Sequence, residues 1–148
     1  MRKYNFQQLL LTGFLAPLLL LCSWQASAEQ KVQLGEWDVH YIVVNSTFFS
    51  ADIARQYGIV RSKYNALVNI SVLDSDTQKA QTVSMQGTAT NLLGTEKPLT
   101  FKKVQEGDAI YYLAVFSFRN DETYRFNIEV RRGDTAETLT FKQKMFVD

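Results

Sequence analysis

The chain has 148 residues, with 16 basic and 15 acidic side chains, one histidine and a single cysteine, Cys22. That length accommodates one domain of ordinary size and leaves no room for a second core. A charge this close to zero gives nucleic acid and anionic surfaces no general attraction, and one histidine with one cysteine is too few donors for a structural zinc site.

Arg2 and Lys3 are followed by an apolar run from Leu9 to Leu21 and a polar stretch ending Ala26-Ser27-Ala28. This is the three-part layout of a secretory signal peptide. The run is broken by Gly13 and Pro17 and is shorter than the roughly 20 apolar residues needed to span a bilayer, so no transmembrane anchor is expected. Ala26 and Ala28 suit a signal peptidase, which sets the expected cut after Ala28 and makes 1–28 a cleavable leader. Leu19, Leu20 and Leu21 precede Cys22 where a lipoprotein leader needs a small residue, so a lipid anchor is not expected either. Processing removes two basic residues and the cysteine, leaving 14 basic against 15 acidic residues in a 120-residue domain over 29–148. No disulfide is then possible, although the compartment permits one. Packing of the 15 aromatic residues beyond Ala28 must replace it.

From Trp37 onward the dominant period is two, the mark of strands with one buried face. The first expected strand covers roughly 36–45, where Trp37, Val39, Tyr41 and Val43 alternate with Asp38, His40, Ile42 and Val44. Ser46 to Lys63 departs from that period. Ser50 can cap a helix there, Phe49, Ile53 and Tyr57 recur at a spacing of four, and Gly58 can end it. A short helix over 51–57 is expected, with Phe49, Ile53 and Tyr57 in the core and Arg55 toward solvent. Ala66, Val68, Ile70 and Val72 form a second strand, followed by the turn formers Asp74-Ser75-Asp76-Thr77. A third strand runs through Val83, Met85, Gly87 and Ala89. Gly94 to Pro98 breaks the pattern and 99–105 resumes it, while Gly107-Asp108 turns into an apolar strand from Ala109 to Phe118. Two more strands follow, one through Tyr124, Phe126, Ile128 and Val130 and the last through Leu139, Phe141, Met145 and Val147.

This pattern predicts an all-β protein, an immunoglobulin-like antiparallel sandwich of about seven strands with one short helix between the first two strands. The strand over 109–118 is apolar on both faces, so Tyr111, Leu113 and Val115 are expected to be covered by the helix or a loop, an exposed interface being the alternative.

No catalytic motif stands out. Asp38 and His40 could serve a small hydrolase, but no G-x-S-x-G elbow accompanies them. Asp74 and Asp76 begin like a calcium loop that then lacks its glycine and glutamate, Lys79 and Met85 standing in those places. Asn45 and Asn69 match the glycan acceptor pattern without further support. Arg55 and Arg61, with Lys63, are the nearest approach to a positive cluster and the candidate binding residues, since arginine on a loop of a rigid scaffold suits anions and carboxylates.

The strings VNSTFFSADIARQYGIVRSKYNALVNISVL, GTATNLLG, EGDAIYYLAVFSF and FKQKMFVD together resemble a family of uncharacterised exported gammaproteobacterial proteins, described as a domain of unknown function. The resemblance covers nearly all of the chain after the leader and implies a periplasmic location in a Gram-negative cell. It implies no activity or catalytic residue. The expected function is a periplasmic, non-catalytic binding or accessory module, soluble after processing. Its partner would be a protein or another envelope component, with no cofactor, metal or nucleic acid. A hydrolase on Asp38 and His40, or a structural envelope component, are the alternatives.

Overall fold

The computed structural model describes residues 29–147, so the leader expected over 1–28 lies outside the described residues. The strands are β1 (Gln30–Leu34), β2 (Trp37–Asn45), β3 (Asn65–Asp74), β4 (Ser84–Asn91), β5 (Glu96–Thr100), β6 (Lys102–Glu106), β7 (Ala109–Ser117), β8 (Glu122–Arg132) and β9 (Thr135–Met145). They form a five-stranded sheet in the order β1-β2-β3-β7-β6 and a four-stranded sheet in the order β5-β4-β8-β9. Every pairing is antiparallel.

Setting β1 aside, the first sheet has the A-B-E-D order of an immunoglobulin constant-type domain. The second has its G-F-C order, with β5 added beside β4. The sandwich expected from the strand period is therefore the fold found. Its core lies between the sheets, where Val39, Val68, Ile70 and Val72 of the first face Phe126, Ile128, Val130 and Leu139 of the second. Tyr124, fully buried near the start of β8, donates its hydroxyl to Glu122 Oε2 at 2.7 Å and accepts a backbone hydrogen bond from Arg119. This backward tie resembles the tyrosine corner of such domains. Burial, followed by the bond to Glu122, pushes the phenol up to about 12.

The described residues hold nine strands, two more than the period revealed. The first addition is β1, which pairs with β2 through a tight turn, Leu34 opposite Trp37. With only Val32 and Leu34 apolar in five residues, it is too short to show a period. This extra strand also places the helix between the second and third strands, not the first two. The second addition comes from the segment read as one strand over 99–105. β5 pairs with β4 in one sheet and β6 with β7 in the other, the chain crossing between sheets at Phe101. Pro98, read as a break, lies inside β5, where an edge strand tolerates the missing N–H.

Between β2 and β3 a single 3-10 turn (Ser46–Phe48) leads into helix α1 (Ala51–Tyr57). Ser50 accepts the Ile53 N–H at 3.3 Å, and Gly58 ends the helix in the left-handed region at φ 69°. The helix lies on the outer face of the first sheet, with buried Ala54 and Ile59 against Leu67. The expectation that Phe49, Ile53 and Tyr57 are core is corrected here: Phe49 and Tyr57 are half-buried and Ile53 is 41% exposed. A helix laid flat on a sheet buries only the stripe directly beneath its axis, and Ala54 occupies that stripe. Tyr111 and Leu113 are half-buried at the same face, while Val115 stays 38% exposed, so the shielding expected for these three is partial. Among the described residues no helix is long and apolar enough to cross a membrane.

Candidate functional site

Because the 49-53-57 stripe faces sideways, it forms one wall of a cleft. Leu67 and Asn69 of β3, Val104 and Glu106 of β6, and Tyr111 and Leu113 of β7 complete it, enclosing about 180 Å³. Tyr57 donates its hydroxyl to the Glu106 carboxylate and so ties the helix to the edge strand. The lining is apolar except for that pair and Asn69, whose Oδ1 is buried without a hydrogen-bond partner. An unmet acceptor of this kind costs about 1–3 kcal/mol.

Asn69 also borders a shallower hollow of about 420 Å³ shared with His40, Ser71, Tyr111 and Glu29. His40 Nε2 is likewise buried and unpartnered. His40 stands opposite Ser71, and Ile42 opposite Asn69, so both orphan atoms belong to adjacent strands on one face. Sequence reasoning placed Asn69 only in a glycan pattern. The signal for it was there: an amide in mid-strand beside a strand that is apolar on both faces.

The Asp38 and His40 pair of the hydrolase alternative does not assemble as a relay. Asp38 accepts from Lys31 Nζ at 2.7 Å and Gln78 Nε2 at 3.0 Å, whereas the carboxylate near His40 Nδ1 is that of Glu29, at 3.5 Å. The Lys31 bond, then the Gln78 bond, hold the Asp38 carboxyl below its usual 3.8. A depressed carboxyl contributes stability above its unfolded value and loses it as pH falls through the folded value. Asp38→Asn should therefore be less stable than wild type at neutral pH, and acid titration of thermal unfolding should show the gap closing below pH 3.8. A gap unchanged into strong acid would mean that Asp38 acts only through its shape.

Of the arginines singled out from sequence, Arg55 projects from α1 into solvent and pairs with Asp52, one turn away. Arg61 is exposed on the loop after Gly58. Neither lines the cleft. The 74–77 segment is a turn in which Asp74 Oδ1 accepts the Asp76 and Thr77 N–H groups. Among the described residues no three His, Cys, Asp or Glu side chains stand close enough to hold a metal ion.

A family model described as DUF4426, a domain of unknown function, matches residues 31–148. Among solved structures, a DUF4426 family protein from Pseudomonas aeruginosa PAO1 is similar at 36% identity and a TM-score of 0.71, over 81% of this chain and 96% of that one. FetP of uropathogenic E. coli strain F11 is similar at 13% identity and a TM-score of 0.58, over 80% of this chain and 94% of that one. A copper-bound glutamate-to-glutamine variant of FetP gives the same identity and score, over 81% of this chain and 91% of that one. At that identity the likeness to FetP is one of fold. No curated protein matches.

Proposed function

The chain belongs to the DUF4426 family, and on that premise we propose that it is an exported, non-catalytic binding module of the periplasm that receives an apolar group in the cleft beneath α1. The observation that carries this is the buried, unpartnered Asn69 Oδ1 in a lining that is apolar apart from Tyr111 and the Tyr57–Glu106 pair. An acceptor without a partner in such a place suits a ligand that brings its own N–H or O–H donor. A volume of about 180 Å³ takes one ring-sized or branched group, since a cavity of about 150 Å³ accommodates benzene. The occupant is then a single side chain of a partner polypeptide, or a small molecule of that size. Arg55 and Arg61 remain candidates for charged contacts outside the cleft. The lack of a hydrogen bond between Asp38 and His40 supports the non-catalytic reading. The copper belongs to the FetP variant and is not carried over, because a likeness at 13% identity is one of fold.

The test is made in cells exporting the full chain. Intact mass of the periplasmic protein should begin at Glu29. A photo-crosslinking phenylalanine placed at Ile53, on the exposed rim of the cleft, should form a discrete adduct. The same group at Thr140, exposed on the other sheet, should not. Leu113→Trp, which fills the cleft, should abolish the adduct while the protein stays folded. Equal adducts at both positions, or an adduct that survives Leu113→Trp, would remove the cleft as the site.

A further inference from the structure

The exposed large apolar side chains are sorted by position. β2, β4, β7 and β9 finish at one end of the sandwich, where β3, β5 and β8 begin. The loops there are tied across both sheets. Asn45 Nδ2 donates to Phe146 O at 2.9 Å, Phe118 N–H to Tyr64 O at 2.8 Å and Val147 N–H to Asn120 Oδ1 at 2.9 Å. On this end stand Phe48, Val60, Tyr64, Leu92, Leu93 and Phe146, with Leu92 and Leu93 81% and 90% exposed.

The two leucines are held out on a pinned turn. Asn91 Oδ1 accepts the N–H groups of Leu93 and Thr95 at 3.1 and 2.8 Å, Asn91 O accepts that of Gly94 at 3.1 Å, and Asn91 Nδ2 donates to Glu122. Cations interleave with the rings: Lys63 Nζ lies 5.1 Å from the Tyr64 ring centre and Lys144 Nζ 5.2 Å from that of Phe146. Arg61 and Arg119 are exposed on the same loops. Of the nearby carboxylates, Asp52 and Asp121 are paired with Arg55 and Lys144, Glu122 is bound by Asn91 and Tyr124, and Glu96 is exposed at the start of β5. The opposite end carries an exposed carboxylate on each of its four turns, Glu36, Asp76, Asp108 and Asp134, with Lys79 and Arg132 the exposed cations beside them.

We propose that the apolar end docks on the surface of an anionic phospholipid bilayer, its leucines and phenylalanines entering the headgroup boundary while the lysines and arginines meet the phosphates. Rings and cations interleaved at one end of the molecule are the composition of an interfacial anchor. The apolar tips stand on four separate segments spread across both sheets, and a fluid surface admits such scattered points without a complementary socket. The acidic far end orients the molecule by repulsion from the same charged surface. The overall charge of 14 basic against 15 acidic residues after Ala28 conceals this sorting, because a sum takes no account of position.

Protein purified from cells expressing the full chain is sedimented with vesicles of phosphatidylethanolamine and phosphatidylglycerol, and separately with vesicles of phosphatidylcholine. Binding should occur only to the anionic vesicles and weaken with added salt. Leu92→Ser combined with Leu93→Ser should lower the affinity about tenfold or more, and Arg61→Gln about fivefold. All of these side chains are exposed, so thermal unfolding should not change, and none belongs to the leader or the cleft. Failure of the cleft therefore leaves this test standing. The proposal is overturned by absence of binding, by equal binding to phosphatidylcholine, or by full affinity in the double leucine variant. It is equally overturned by a dimer, formed without vesicles, that the double leucine variant dissolves, because the end would then face a second copy.

Discussion

Phe126→Ala should destabilise the domain by about 3–5 kcal/mol, the usual cost of truncating a buried phenylalanine. Phe126 is fully buried and holds the two sheets together. Its ring stacks on Phe141 of the neighbouring strand at 4.6 Å and 9°, and meets Phe116 of the opposite sheet edge-on at 5.3 Å and 81°. Both are favoured arrangements for aromatic rings. Small domains are stable by only about 5–15 kcal/mol, so this one ring accounts for a large share. With no disulfide to restrict the unfolded chain, nothing covalent offsets its loss. Urea titration should show the midpoint falling with little change in slope. Phe126→Leu, which keeps apolar volume but no ring face, should lose only part as much. A loss under about 1 kcal/mol for alanine would mean that the sheets close over the gap.

Gly87→Ala should also destabilise, by about 1–3 kcal/mol or more, although propensity alone argues the other way. Glycine in mid-strand is worse than alanine by about 0.5–1 kcal/mol, and β4 is an interior strand between β5 and β8. The geometry reverses the sign. A Cβ on Gly87 would lie 2.5 Å from Asn127 O, 2.8 Å from Ile128 Cγ1 and 2.9 Å from Ile128 Cα. Two of those atoms are backbone, so relief requires β8 to move away from β4 and takes Ile128 out of the core. Amide hydrogen exchange should quicken along β4 and β8 before it does in β2 and β3. A variant as stable as wild type would show that the two strands have slack that their close approach conceals.

The sequence by itself determined what depends on near neighbours along the chain. Alternation through Trp37 to Asn45 and Ala109 to Ser117 told which side chains share a face, because a strand places successive side chains on opposite sides. Ser50 and Gly58 bounded the helix because a cap hydrogen bond and a left-handed residue are local events. The tertiary structure decided what depends on the neighbour across space. Whether 96–106 makes one strand or two depends on which backbone accepts its hydrogen bonds, and the alternation is the same on either side of Phe101. Spacing put Phe49, Ile53 and Tyr57 on one face of α1, but only the angle at which α1 lies on the sheet made that face a wall of the cleft and left Ala54 to be buried. Asn69 became an unmet acceptor because the residues paired beside it on β2 and β7, Ile42 and Leu113, are apolar and offer its side chain no donor. Phe48, Tyr64, Leu92 and Phe146 are scattered over a hundred residues, and they share one end only because antiparallel pairing returns the chain to the same end at every second turn.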